Sequence, residues 1–153
     1  MLSFSRKSIF DPGFTGLLVN PVNCVGTMGK GLAKEFSLRF PGLLADYRRE
    51  CLSGRLSLGG YYFWFVPGGQ PLAVVNLPTK RHWREGSAWE PIAESLARIT
   101  DVLMSCGEDV TKLSLACPKL GCGLGGLAWA EVRPRLVHSL TRLGTVMDVT
   151  ICE

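Results

Sequence analysis

Two glycine-rich loops constrain this chain more than any other feature. Gly26-Thr27-Met28-Gly29-Lys30-Gly31 follows the apolar run Leu17-Leu18-Val19 by way of Asn20-Pro21-Val22-Asn23. Gly121-Cys122-Gly123-Leu124-Gly125-Gly126 follows Leu113-Ser114-Leu115-Ala116-Cys117. Apolar residues at helical spacing come after each: Leu32, Phe36 and Phe40 after the first, and Val132, Leu136, Leu140 and Leu143 after the second. A strand handing over to a helix through glycine, twice, is the pattern of an α/β domain. In open α/β sheets ligands sit beyond the carboxyl ends of the strands. Glycine lets the backbone approach an anion closely there, and loop N–H groups beside a helix N-terminus cradle phosphate oxygens. Either loop alone is as readily a tight turn. Two of them facing one crevice would hold two phosphates, hence a pyrophosphate. Neither is a known nucleotide fingerprint. The first lacks the Lys-Ser or Lys-Thr that closes a P-loop, and the second comes too late, with no acid at the right distance, for a Rossmann site.

The rest of the chain completes the alternation. Pro41 ends the first helix, and a second covers roughly Leu43 to Leu52 and stops near Gly54. Tyr61 to Val66 and Ala73 to Leu77 are predicted strands around the turn Pro67-Gly68-Gly69. Ile92, Leu96, Ile99 and Leu103 give a long amphipathic helix, and Val146 to Ile151 a closing strand. With no repeat or linker, residues 1–153 are expected to form one domain, and as a monomer. A hydrophobic fraction of 46% supplies a core, and a charged fraction of 20% argues against disorder. No apolar run approaches the roughly 20 residues of a membrane span, and Met1 to Lys7 lacks the apolar core of a signal peptide. A cytoplasmic protein with reduced cysteines is expected. Cys117 and Cys122 form the only close pair and have no histidine nearby, so no metal site is expected. The net charge of +4 suits anionic ligands without establishing nucleic-acid binding.

Chemistry concentrates after the Ala73–Leu77 strand, in Lys80-Arg81-His82-Trp83-Arg84. Cations interleaved with aromatics are what single-stranded nucleic-acid surfaces use. The loops hold no carboxylate pair of the kind glycosidases need. Glu85 and Glu90 are acids at a helix start. A lysine offers another route, because an amine forms a Schiff base with the aldehyde of a ring-opened ribose. On the residues alone, Lys80 reads more readily as a solvated cation that draws phosphate, since most lysines face solvent. His82 is a candidate proton shuttle or a ring packed on Trp83, and His138 is expected to be structural. Cys24 and Cys122 are small thiols in ligand loops rather than nucleophiles.

Three motifs together resemble the macrodomain family. They are Val19-Asn20-Pro21-Val22-Asn23 running on through Gly29-Lys30-Gly31-Leu32-Ala33, then Asn76-Leu77-Pro78-Thr79-Lys80-Arg81-His82-Trp83-Arg84, then Leu120 to Leu127. More narrowly they are similar to the macrodomains of the DarG antitoxins, which counter DarT toxins, and the resemblance spans about residues 7 to 152. It implies a three-layer α/β/α fold with a mixed central sheet and a crevice for ADP-ribose, with no cofactor. It implies Lys80 and Asn23 as catalytic residues, Asn23 also touching the distal ribose. It further implies ADP-ribose contacts from Ser8, Ile9, Cys24, Met28, Gly29, Lys30, Gly31 and Thr79, and from Gly121, Cys122, Gly123, Leu124, Gly125 and Gly126. Arg81, His82, Trp83 and Arg84 would face DNA. The implied activity is removal of ADP-ribose from modified, single-stranded DNA, with a DarT-like toxin as partner. Protein mono-ADP-ribosyl hydrolysis, ADP-ribose 1''-phosphate hydrolysis and non-catalytic ADP-ribose binding are the alternatives. Two positions depart from relatives. Ser8 precedes Ile9 where many macrodomains carry an adenine-reading aspartate, and Gly125 stands where a protein-specific glycohydrolase has an acid. Full-length DarG also carries a toxin-binding domain, for which this chain leaves no room.

Overall fold

A computed structural model describes all of residues 1–153. In chain order the elements are β1 (Leu2–Ser5), β2 (Leu17–Val22), α1 (Gly31–Arg39), α2 (Leu43–Leu52), β3 (Tyr62–Phe65) and β4 (Ala73–Pro78). They continue with α3 (Trp89–Met104), a 3₁₀ helix at Gly107–Lys112, β5 (Ser114–Cys117), α4 (Trp129–Gly144) and β6 (Asp148–Cys152). The strands form one sheet in the order β1-β6-β5-β2-β4-β3. Every neighbouring pair is parallel except β3 and β4, so the sheet is mixed as expected.

Side chains alternate across each strand, and this alternation builds two cores. Leu17 and Val19 of β2, Ala73, Val75 and Leu77 of β4, and Val149 and Ile151 of β6 face one side. There they meet Ile92, Leu96, Ile99 and Leu103 of α3 and Val132, Leu136, Leu140 and Leu143 of α4. Leu18, Val22 and Val74 face the other side and meet Phe36 of α1 and Leu43, Tyr47 and Cys51 of α2. The fold is thus three layers, α/β/α. Each fully buried leucine stabilises it by about 1.5–3 kcal/mol.

Within the second core lies a polar rung. Asn20 and Asn76 sit opposite each other in the β2–β4 register and are completely buried. The Asn20 amide donates to Asn76 Oδ1 at 3.1 Å, and the Asn76 amide donates to the Tyr62 carbonyl at 3.2 Å.

Because β2, β4, β5 and β6 are mutually parallel, their carboxyl ends, Val22, Pro78, Cys117 and Cys152, reach the same rim. Both glycine loops and the segment after β4 therefore emerge side by side. Two features differ from expectation. The amino terminus forms an edge strand, β1, paired parallel with β6. His138 lies exposed on α4 instead of packing inside.

Candidate functional site

A crevice of about 1290 Å³ opens at this rim, and both glycine loops line it. Of the expected residues, Ser8, Ile9, Asn23, Met28 to Gly31, Thr79, Lys80, Trp83, Arg84 and Gly121 to Gly125 line its walls. Cys24, Arg81, His82 and Gly126 do not. The main chain accounts for two of these: Cys24 donates its N–H to the Arg81 carbonyl at 2.9 Å, so both residues serve as backbone struts between loops.

The first loop is organised by Asn23. Its Oδ1 accepts from the N–H groups of Val25 (3.1 Å) and Thr27 (3.4 Å), while Nδ2 donates to the Thr27 hydroxyl at 2.8 Å. Gly26 and Gly31 adopt φ of 84° and 59°, a region that suits glycine. The second loop turns through Gly121 and Gly126, at φ of 75° and 80°. The loops meet over the crevice, where a Cβ on Gly31 would stand 3.4 Å from the Leu124 side chain.

The segment after β4 joins both loops. Thr79 N–H donates to the Val22 carbonyl at 2.9 Å, and Ser87 N–H donates to Gly125 O at 2.9 Å. Lys80 Nζ donates to the carbonyls of Trp83 at 3.4 Å and Leu124 at 3.5 Å. No carboxylate lies in ion-pair contact with it. Gly125 explains its own departure from an acid: any side chain there would overlap the Ser87 hydroxyl and the Gly121 carbonyl. Ser87, which carries no recognisable signal in the sequence, thus excludes an acid from the second loop together with the Gly121 carbonyl.

Charge favours an anion. Lys7, Lys30, Lys80, Arg84 and Lys119 line the crevice against only two carboxylates, Glu35 and Glu153. Both acids are held by arginines, Glu35 by Arg39 at 3.9 Å and Glu153 by Arg133 at 3.5 Å. Glu85 and Glu90 lie outside the crevice walls. Neither loop thiol is a nucleophile at neutral pH: burial, above all, pushes Cys24 up to about 11 and also raises Cys122. Ser8, exposed at the edge, uses its hydroxyl to accept from Phe10 N–H at 3.1 Å. At the mouth, Trp83 is 48% exposed, with the His82 ring 5.0 Å away and the Arg84 guanidinium 4.7 Å over its face. No His, Cys, Asp or Glu side chains cluster in the threes that a metal ion would need.

The family profile described as "Macro domain" matches residues 19–136, which include both loops and the Lys80 segment. The chain belongs to the macrodomain family. This macrodomain is similar to a curated Mycobacterium tuberculosis protein named DNA ADP-ribosyl glycohydrolase, with 38% identity over 135 residues, 86% of this chain and 37% of the relative. It therefore spans little more than a third of that relative's length. Among solved structures, the macrodomain of M. tuberculosis DarG superposes with a TM-score of 0.88 at 32% identity, covering 99% of this chain and 97% of that one. Thermosipho africanus DarTG, described as a complex with ADP-ribose, superposes with a TM-score of 0.75 at 32% identity, over 88% of this chain and 37% of that one. No helix of this macrodomain is long and apolar enough to cross a membrane.

Proposed function

We propose that this macrodomain is a lysine-dependent glycohydrolase that removes ADP-ribose from modified DNA. The carrying observation is the placement of Lys80. Its amine is held between the carbonyls of Trp83 and Leu124, at the point where the two glycine loops meet. Glycine N–H groups of both loops would hold the diphosphate beneath that point, and Ile9, Met28 and Thr79 would flank the rest of the ligand. Asn23 would present the first loop to the distal ribose.

With a ring-opened distal ribose in place, the Lys80 amine would bond to the anomeric carbon as the bond from that carbon to the acceptor breaks. The acceptor leaves with a proton. Water then hydrolyses the resulting imine, returning the amine and releasing ADP-ribose, so the net change is consumption of one water. A carboxylate-pair route gains no support, since the crevice walls carry only the Glu35 and Glu153 carboxylates, and each sits beside an arginine.

DNA is favoured over protein as the acceptor by the mouth of the crevice. Arg81 and Arg84 are exposed without carboxylate partners, and Trp83 offers an aromatic surface to a splayed base. Gly125 has no room for the acid that a protein-specific relative would use. Names of similar proteins point the same way, and the DarTG relative suggests a DarT-like toxin as the source of the modification. Six free cysteines suit a reducing cytoplasm. Lys80→Ala should abolish release of ADP-ribose from modified DNA while binding free ADP-ribose within about twofold of wild type by calorimetry. Retained turnover in that variant would remove lysine chemistry from the reading.

A further inference from the structure

The crevice is built against α2, an element with no residue in its walls. Tyr47 of α2 is completely buried. Its hydroxyl donates to Asn23 in a shared bond, 2.7 Å from both the backbone carbonyl and Oδ1. One turn on, Cys51 Sγ lies 4.0 Å from the same Asn23 carbonyl. The next residue in the helix, Arg48, donates from Nε to the Gly26 carbonyl at 3.0 Å. Gly26 rests directly on this helix, since a Cβ there would stand 3.0 Å from Arg48 Cγ and 3.4 Å from its Cα. The strut continues past Asn23, because Cys24 N–H bonds the Arg81 carbonyl beside Lys80.

These contacts fix which way the Asn23 amide faces. Oδ1 accepts from two backbone N–H groups, an arrangement that an inverted amide could not keep, and Tyr47 adds a third donor on the same oxygen. Without the Tyr47 hydroxyl, the buried Asn23 carbonyl keeps only the distant Cys51 thiol as a donor, Oδ1 loses one of its three donors, and Arg48 is left as the main tie between the loop and α2. We infer that Tyr47, with Arg48 as a second strut, is a positioning residue for the crevice: it sets Asn23 and the first glycine loop in their binding geometry without touching the ligand. The inference rests on the reading of the crevice as an ADP-ribose site.

The test is a double-mutant cycle of Tyr47→Phe and Asn23→Ala, read as ADP-ribose Kd by calorimetry and as KM and kcat on ADP-ribosylated DNA. Tyr47→Phe keeps the ring that fills the core and removes only the hydroxyl. The expected result is a rise of about tenfold in Kd and KM with kcat within about twofold, and little further weakening when the change is added to Asn23→Ala. Leu103→Ala, a core change on the opposite face of the sheet, serves as the stability control and should leave Kd unchanged. A wild-type Kd in Tyr47→Phe, full additivity with Asn23→Ala, or an equal rise in Kd in Leu103→Ala would overturn the inference. If Tyr47→Phe does not fold, Arg48→Ala decides, since Arg48 is exposed: an unchanged Kd there overturns the inference and a rise of about threefold upholds it. A wild type that binds no ADP-ribose would sink the crevice reading itself, and this inference with it.

Discussion

Gly29 and Gly123 stand apart from the other loop glycines. Neither has a positive φ, and a Cβ built at either meets no atom within 4 Å. Neither the backbone nor the packing of the protein demands glycine there, yet both positions line the crevice. Close approach of the proposed ligand would account for them. Gly29→Ala and Gly123→Ala should change stability by no more than about 0.5 kcal/mol, as surface substitutions do, while weakening ADP-ribose binding about tenfold. Gly126→Ala should behave in the opposite sense. At φ of 80° and outside the crevice walls, it should cost about 1–2 kcal/mol of stability and affect binding less. Thermal melts and calorimetry on the three variants would separate the two kinds of glycine. Equal weakening of binding in all three would contradict the distinction. Lys80 sits at the same scale: its place after a buried strand does not by itself separate it from a solvated cation, the family resemblance singles it out, and its two carbonyl partners come from segments that only the fold brings together.

At the scale of elements, strands and helices with strong periodicity were plain in the sequence. Ile92 to Leu103 and Val132 to Leu143 each fall in a helix with those apolar residues buried, as expected. β1 was not legible. Leu2-Ser3-Phe4-Ser5 is only four residues long and largely exposed, and its partner β6 is the last strand of the chain. The place of Glu153 in the crevice was hidden for a similar reason, because Glu153 N–H bonds the Ser5 carbonyl at 2.8 Å through pairing between the two chain ends. Tyr47 is not singled out by the sequence, since nothing local marks a hydroxyl that will meet Asn23. The junction of α2 with the first loop makes a pH prediction. Burial raises Cys24 from its ordinary 9.0 to about 11, and raises Cys51 and Tyr47 as well. The unfolded chain gives up its thiol protons first, so the contribution to stability is full below pH 9 and is lost as pH climbs toward 11. The melting temperature should fall across that interval, and Cys24→Ser, which does not titrate, should flatten the fall. A melting temperature constant from pH 8 to 10.5, or an unchanged slope in Cys24→Ser, would contradict this account of the junction.

The whole molecule gathers its candidate site at one rim. Parallel strands deliver two glycine loops and a lysine-bearing segment to the same end of the sheet, and the remaining layers hold them there. The excess of cations in the crevice draws an anionic ligand, and the exposed Arg81, Trp83 and Arg84 extend that attraction beyond the mouth. On the proposed reading, ADP-ribose would fill the crevice and a nucleic-acid acceptor would use the extension. The most direct test of the central claim compares release of ADP-ribose from modified single-stranded DNA and from modified protein, using wild type and the Arg81, Trp83 and Arg84 triple alanine variant. The account predicts faster release from DNA by wild type. It also predicts a raised KM on DNA in the triple variant and unchanged binding of free ADP-ribose. The salt dependence of DNA binding should become shallower by about one unit of slope for each phosphate that the variant no longer neutralises. Faster release from protein, or a triple variant that cleaves DNA with wild-type KM, would contradict it.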